Sequence, residues 1–581
     1  MRTMPTPTIA RVSSGRGLRR GAPGYTARVL LGVAALALML AFASGAGAGV
    51  FAYPSSQTIP ASGPLPQDSA PAVTMNAAIG ERDGAWIVAT GAKSVSASID
   101  GFGLGPLKAA LYFGHFVDFS GRFVPDALLP WDGTLRPFEK PNQPLYLQVV
   151  VPEDAKPGGY RATVRVVTDG LTTMVPVAIR VYNVRLPAPN AAQGALLTAF
   201  QVVPESYVKK VDELFQLGSN PARSAANVSL FAFLASYRIS PAGWGFGEPR
   251  VAAGYTASAK WWLDSAGNME KQNQVPFATM RIPISNQRAS VGNRIAGISP
   301  FAPDTWCNYL ESVRNFWGEH GWLDGRIPYL YTLDEPGLDG MKLVAEQAAV
   351  AHRCFPGSRM LVTGNPSRAN GFLWDGHEGD DADIWAVLTR RFYGQSFRPR
   401  EKFDLVTKAE AAGKQIWSST YDGVAGTPGY TTAEPLSDPR MFLLWNALEG
   451  IKGTLYAEGM TSYYTGNPLE SVRSYGEHVL IYPGPTGPIA SARLEQIRDG
   501  IEDWDVLDVV RRKRGLSGVR TVLAGAGLFS ATARGVTLAC VKGCELQGST
   551  EYSWPQWSHD AATAVKIEAA KQRALAVAAA G

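Results

Sequence analysis

The sequence predicts two architectures in succession, an all-β sandwich and then an α/β (β/α)8 barrel of the TIM-like kind. Three observations carry that expectation. From about Val73 to Pro187 apolar and polar residues alternate with period two between Pro/Gly turns, with almost no helical period, as half-buried strands of a sandwich require. After Leu186-Pro187-Ala188-Pro189 the rhythm changes to short apolar runs alternating with amphipathic helices, which calls for a parallel sheet. Eight such units span roughly 270 residues, against about 250 for a typical strand-helix barrel.

The leader comes before either architecture. Arg2, Arg11, Arg16, Arg19, Arg20 and Arg28 occur without any acid, Val29 to Phe42 is apolar, and Ala46-Gly47-Ala48 offers a small-residue cleavage site. Residues 1–51 therefore read as a signal peptide or an uncleaved signal anchor, which predicts an exported chain, secreted, periplasmic or tethered to the cell envelope. Residues 52–72, rich in Pro, Ser, Ala and Gln, read as a flexible linker. The net charge of +5 includes those six arginines, so the remainder is near neutral and no nucleic-acid partner is expected.

In the sandwich, residues 73–187, the clearest strand is Leu145 to Val151, followed by the turn Pro152 to Gly159 and a second strand from Tyr160 to Thr168. Next, Val175, Val177, Ile179 and Val181 share one face, with Pro176, Ala178 and Arg180 on the other. The barrel, residues 188–515, has candidate strands at Ala195 to Val202, near Tyr237 to Ser240, Ala278 to Ile284, Ile327 to Leu333, Met360 to Thr363, Ile384 to Leu388, Gln415 to Thr420 and Gly453 to Ala457. The helix before the fourth places Trp306, Tyr309, Leu310, Val313, Phe316 and Trp317 on one stripe. Beyond the barrel strands come Tyr482-Pro483-Gly484 and a helix from about Ala490 to Arg512, its many charges expected to form a solvated face. Residues 516–581 form an Ala-rich helical tail.

Ile327 to Leu333 reads as a strand buried on both faces that ends in Asp334-Glu335-Pro336. Pro336 cannot donate to a ladder, so the chain turns and leaves two carboxylates at the carboxyl end of the strand, where such barrels do their chemistry. Asn365, Arg391, Tyr393, Thr420, Tyr421, Asp422 and Glu458 fall at corresponding ends. Such a set is expected to converge on one mouth. The aromatic content, 10% of the chain, suits sugar rings, whose apolar faces stack on flat side chains.

Four cysteines remain. In an exported chain they are expected to pair, Cys307 with Cys354 on the helices flanking the fourth strand, and Cys540 with Cys544. The histidines form no metal-ligating spacing. Nucleotide-binding loops and a nucleophile elbow are absent from the sequence as well.

Several stretches resemble glycoside hydrolase family 123 and its larger relative, the domain of unknown function 4091. They are Val151-Pro152-Glu153-Asp154-Ala155-Lys156-Pro157-Gly158-Gly159-Tyr160, Tyr331 to Pro336, Trp417 to Tyr421, Gly453-Thr454-Leu455-Tyr456, and Tyr482-Pro483-Gly484 followed by Arg493 to Trp504. In order and spacing the likeness runs from about Leu145 to Arg512. It implies a sandwich followed by a barrel, and retaining exo-hydrolysis of β-linked N-acetylgalactosamine with Asp334 and Glu335 catalytic. It also implies a glycan or glycoconjugate substrate. The residues expected to bind it, at or near the strand ends, are Asn365, Tyr393, Trp417, Tyr421, Tyr456 and Glu458. The segment Tyr456-Ala457-Glu458-Gly459-Met460 is less aromatic than the family usually has there.

Adjacent strand residues point to opposite faces, so Asp334 and Glu335 make a poor acid-nucleophile couple unless the strand end twists. That requirement falls away if the substrate's 2-acetamido oxygen is the nucleophile, with Glu335 as acid and base and Asp334 steadying the oxazolinium ion. No metal or organic cofactor is then needed. Two alternatives stay open at this point. One is a carbohydrate-binding envelope protein without activity; the other is a glycosidase for a sugar without an acetamido group, using Glu335 with Asp422 or Glu458.

Overall fold

Along Val175 to Val181 every second side chain is buried and those between are exposed, so the alternation closes one apolar face against a second sheet. The computed structural model describes residues 49–67, 69–102, 105–242, 277–282, 287–288, 303–364, 382–388, 409–420, 428–464, 466–473, 476–528, 538–539, 551–552 and 562–580. Ten strands come first: β1 (Gly49–Pro54), β2 (Val73–Ile79), β3 (Arg82–Thr90), β4 (Ser94–Asp100), β5 (Lys108–Phe119), β6 (Arg122–Pro130), β7 (Arg136–Pro137), β8 (Asn142–Val150), β9 (Gly158–Thr168) and β10 (Leu171–Arg185). One sheet runs β1-β3-β8-β5 with β6 beside β5, the other β2-β10-β9-β4-β7, with β2 parallel to β10. Ile87, Leu145, Leu147 and Val149 of the first meet Val164, Val166, Val177 and Ile179 of the second in one core.

The expected tether at residues 52–72 is part of this fold. β1 pairs antiparallel with β3 from Gly49 to Pro54, so strand structure reaches into the segment assigned to the leader. Ser55, Ser56, Gln57 and Ile59 are buried, and the Trp86 indole donates to the Ser55 carbonyl at 2.9 Å. Small polar residues here fit between strand and helix, so a composition that reads as flexible is fixed by burial and hydrogen bonds.

The second rhythm builds a seven-stranded parallel sheet in the order β11 (Leu197–Phe200), β19 (Gly453–Tyr456), β18 (Gln415–Thr420), β17 (Ile384–Leu388), β16 (Arg359–Thr363), β14 (Ile327–Tyr331) and β12 (Thr279–Arg281). A short pair, β13 (Gln287–Arg288) with β15 (Leu333–Asp334), lies beyond the end of β14. Among the described residues the strand expected near Tyr237 to Ser240 is represented by one parallel bridge, Phe200 with Pro241. Pro241 has no N–H to extend a ladder. Hydroxyls take its place: Ser240 N–H donates to Thr198 Oγ1 at 2.8 Å and Thr279 N–H to Ser240 Oγ at 3.3 Å. The sheet is thus nearly closed. Tyr329, Tyr331, Leu361, Ala386, Trp417 and Leu455 form its interior layer.

Around the sheet lie α1 (Pro204–Phe215), α2 (Asn220–Ser236), α3 (Pro303–Glu319), α4 (Leu338–Cys354) and α5 (Asp438–Glu449). The predicted stripe of α3 is buried at Trp306, Tyr309, Leu310, Val313 and Trp317. Cys307 of α3 and Cys354 of α4 form a disulfide with Cα atoms 5.3 Å apart. Cys540 and Cys544 lie outside the described residues. Among the described residues no helix is long and apolar enough to cross a membrane.

The strongest departure from expectation is α6 (Ala492–Gly525). Its charged run was expected to be solvated, yet Arg493, Glu495, Arg498, Asp499, Glu502, Asp503 and Asp505 are all buried. This helix fills the junction between the β1 sheet and the parallel sheet, and several of its polar groups find partners there. Gln148 Nε2 donates to Glu495 at 3.1 Å, Arg82 N–H to Glu502 at 3.1 Å and Ser55 Oγ to Asp499 at 3.0 Å. Past a break at Gly515 (φ 67°), α7 (Thr563–Ala579) packs alongside and places Lys571 against Asp83 at 2.8 Å and against Glu81. Three later strand pieces complete the junction: β20 (Ser471–Val472) adds parallel to β5, and β21 (Ile481–Tyr482) pairs with β22 (Ile489–Ala490).

Candidate active site

β14 carries Tyr331 to the end of the sheet, and the next residues leave the ladder. Asp334 is half-buried and Glu335 exposed. One Asp334 oxygen, Oδ1, accepts from the Tyr331 hydroxyl at 2.7 Å and from Thr363 Oγ1 at 2.6 Å. Thr363, the last residue of β16, also accepts the Glu335 N–H at 2.7 Å. One threonine hydroxyl thereby fixes both acids, accepting a hydrogen bond from the backbone N–H of one and donating one to the carboxylate of the other.

Glu335 has φ 47°, in the left-handed region that a non-glycine residue occupies at a cost of about 1–3 kcal/mol unless its surroundings hold it there. The Thr363 bond is one such restraint. Gly364 (φ 116°) lies beside it, and a Cβ there would stand 3.9 Å from the Glu335 Cα. Because the chain leaves extended geometry at this point, the alternation that would send neighbouring acids to opposite faces no longer applies. Strain at such a position is a mark of a functional site.

Below the acids, the buried Arg281 guanidinium donates to the Ala242 carbonyl at 2.8 Å and the Tyr331 carbonyl at 3.2 Å, and lies 5.4 Å from the Tyr331 ring centroid. Burial pushes the Tyr331 phenol well above its ordinary value, and the Asp334 charge adds to that. Tyr331 is therefore a neutral donor to Asp334 throughout the physiological range. Thr363 and Arg281 were not among the residues singled out from sequence. A Thr at a strand end and an Arg inside an apolar strand run are the signals that mark them.

The remaining expected site residues divide three ways. Asn365, Tyr393 and Tyr421, with Arg391 and Asp422, lie outside the described residues. Trp417 is fully buried in the interior layer of the sheet, its indole donating to Gln415 Oε1 at 2.9 Å and edge-on to Tyr329. Tyr456 does not face the mouth. It points to the outer layer between sheet and helices, its ring tilted against those of Phe200 and Tyr430 and its hydroxyl bonded to the Glu477 carbonyl. Both aromatics were expected to bind substrate; the strand pleat sets Trp417 in the interior layer of the sheet and Tyr456 in the outer one. Glu458, two residues past β19, is half-buried at the same end of the sheet as Asp334 and Glu335. There it meets His478, whose Nδ1 donates to the Glu458 carbonyl at 2.8 Å and lies 3.4 Å from its Oε2.

Residues 272–510 match the family model described as the glycoside hydrolase 123 catalytic domain. Among solved structures, a family 123 glycoside hydrolase from Clostridium perfringens, studied for glycolipid glycan hydrolysis, superimposes with a TM-score of 0.60 at 14% identity, covering 91% of this chain and 98% of that one. A putative α-galactosidase from Bacteroides fragilis aligns over 75% of this chain and 77% of its own at 10% identity, with a TM-score of 0.27. A β-glucuronidase from Parabacteroides merdae aligns over 65% and 45% at 10% identity, with a TM-score of 0.21. No curated protein sequence matches the chain.

Proposed function

Because residues 272–510 carry a glycoside hydrolase family 123 catalytic domain, we propose that this glycoside hydrolase is a retaining, exo-acting β-N-acetylhexosaminidase that uses its substrate's own acetamido group as nucleophile. The observation that carries the reading is the unequal treatment of two adjacent acids. Asp334 is half-buried and takes two hydroxyl donors on one oxygen, whereas Glu335 is exposed beside it. A carboxylate held in that way is suited to accept the acetamido N–H and to steady positive charge on an oxazolinium ion. An exposed neighbour is suited to exchange protons, first with the leaving oxygen and then with water. In the first step the acetamido oxygen bonds to the anomeric carbon as the glycosidic bond breaks, and the Glu335 proton goes to the departing oxygen. In the second, Glu335 takes a proton from water as the water oxygen attacks the anomeric carbon and the oxazolinium ring opens.

The seven strands and the bridge at Pro241 support a (β/α)8 reading of residues 188–515, with the two N-terminal sheets as a bracing sandwich. Export is part of the same proposal. The arginine-rich apolar leader and the Cys307–Cys354 disulfide fit an oxidising compartment, with a membrane tether if the leader is retained.

The test is a panel of aryl β-glycosides with and without the 2-acetamido group, joined by a glycolipid glycan. Turnover is expected only for acetamido sugars, and Glu335→Gln and Asp334→Asn should each lose at least 100-fold in kcat/KM with an unchanged circular dichroism spectrum. Equal turnover of sugars lacking the acetamido group, or near wild-type rates in both variants, would overturn the mechanism.

A further inference from the structure

Across the sheet from the acid pair, a second polar group has been built with as much care. Three strands, β16, β17 and β18, separate β14 from β19 on one side; β12, the Pro241 bridge and β11 separate them on the other. Glu458 and the acid pair thus lie at the same end of the sheet, on strands far apart in its order. Between Glu458 and Glu477 lies His478. Its Nδ1 must carry a proton, because it donates to a carbonyl, and its Nε2 is 3.7 Å from Glu477 Oε1. The other Glu477 oxygen is buried with no hydrogen-bond partner among the described residues, and the residue is 9% exposed. The Tyr464 ring stands perpendicular to the imidazole at 5.2 Å and is 62% exposed.

This group is rigid. Arg493, 2% exposed, donates to the carbonyls of Gly476 at 2.7 Å and Val479 at 2.6 Å, bracketing the Glu477-His478 segment. Its remaining donors are spent on the Tyr430 carbonyl at 2.8 Å and on Asp126 of the first sheet at 3.0 and 2.8 Å. A fully buried charge pair that gathers backbone carbonyls contributes fixed geometry rather than net stability.

Resting on the acetamido-sugar reading above, we propose that Glu458 and Tyr464 form the wall that reads the ring hydroxyls of the terminal sugar, with His478 and Glu477 as positioning residues behind it. A half-buried carboxylate accepts two adjacent hydroxyls, and an exposed tyrosine offers the flat face that a pyranose stacks on. A metal ion suits the group poorly. The two carboxylates lie on opposite nitrogens of the imidazole, and the protonated Nδ1 has no lone pair to give. The charges of Glu458 and Glu477, after burial, push the Tyr464 phenol up, which agrees with both acids facing that ring.

The experiment compares aryl N-acetyl-β-galactosaminide with its 4-epimer, the N-acetyl-β-glucosaminide, in the full-length chain. Glu458→Gln, His478→Asn and Tyr464→Ala should each raise KM at least tenfold on the preferred epimer, with kcat the lesser change. They should also bring the ratio of kcat/KM between epimers toward one, whereas Asp334→Asn loses kcat and keeps the ratio. A purely structural role for the cluster would lower the melting temperature without moving that ratio. Tyr464→Ala removes an exposed ring and is expected to fold normally. If wild type turns over acetamido sugars and all three variants keep KM and ratio within twofold, the wall is wrong and the enzyme reading stands. If wild type turns over nothing but binds N-acetylgalactosamine by calorimetry, and Glu458→Gln abolishes binding, the wall stands and the enzyme reading fails. Neither turnover nor binding overturns both.

Discussion

Thr363 is the residue on which the proposed chemistry turns, since one hydroxyl both donates to Asp334 and accepts from the Glu335 backbone. Thr363→Val keeps the shape of the side chain and removes that hydroxyl. Asp334 would keep the Tyr331 donor but lose the other, and the Glu335 N–H would lose its acceptor at a left-handed residue. A hydrogen bond to a charged group is worth about 1.5–3 kcal/mol, so kcat/KM on an acetamido substrate should fall by about 10- to 100-fold. Thr363→Ser should recover most of it. Wild-type rates in Thr363→Val would remove this residue from the site. Asp334 and Glu335 were legible in the sequence as strand-end candidates because two acids before a proline close an apolar run. Thr363 was not, because its role depends on β14 and β16 lying side by side, a relation between segments that no local pattern records. Trp417 and Tyr456 show the converse: an aromatic at a strand end suits a sugar ring and a core alike, and only the pleat decides which layer it joins.

At the scale of elements, strands whose apolar pattern is local were readable nearly to the residue: Ile384–Leu388 and Gln415–Thr420 fall where the periodicity placed them. α6 was misread because a charge run says nothing about whether countercharges await it. They do. Arg440 of α5, fully buried, pairs with Asp503 at 2.7 Å and with Glu568 of α7 at 2.7 Å, and lies 3.9 Å from Asp499. Removing one member of such a set leaves the others charged and desolvated, which costs about 3–5 kcal/mol, far more than the intact set contributes. Arg440→Met should therefore cost about that much stability in urea melts, and adding Asp503→Leu should restore part of the loss. Loss below about 1 kcal/mol would mean that the acids are solvated after all. The tether at residues 52–72 failed in the same way, since its small polar residues become structural only where Trp86 and Asp499 receive them.

For the whole molecule, burying so many acids makes stability depend on pH in an unusual direction. Burial pushes Asp505 up to about 8 against the partial offset of Arg238, and Glu434 to about 8 with help from the Asp438 charge. Asp438 rises to about 7 through burial. In the unfolded chain these groups titrate near about 4. Between those values the folded chain holds protons that the unfolded chain has released. Their contribution is fully present below the unfolded values and is lost as pH rises through 7 to 8. His115 adds to the trend. Burial alone would lower it, but the Glu139 hydrogen bond and charge outweigh burial and raise it, so its stabilisation is also lost as pH rises. Asp383 runs the other way: burial opposes ionisation, but His352, the Met360 N–H and Lys414 hold it below its ordinary value, and its contribution is lost only in acid. The melting temperature should therefore fall steadily from pH 6 to pH 9. Asp505→Asn should flatten that slope, since the variant side chain has no proton to lose. A melting temperature that is flat or rising over this interval would show that the buried acids are ionised in the folded state, each paired closely enough to offset its own desolvation.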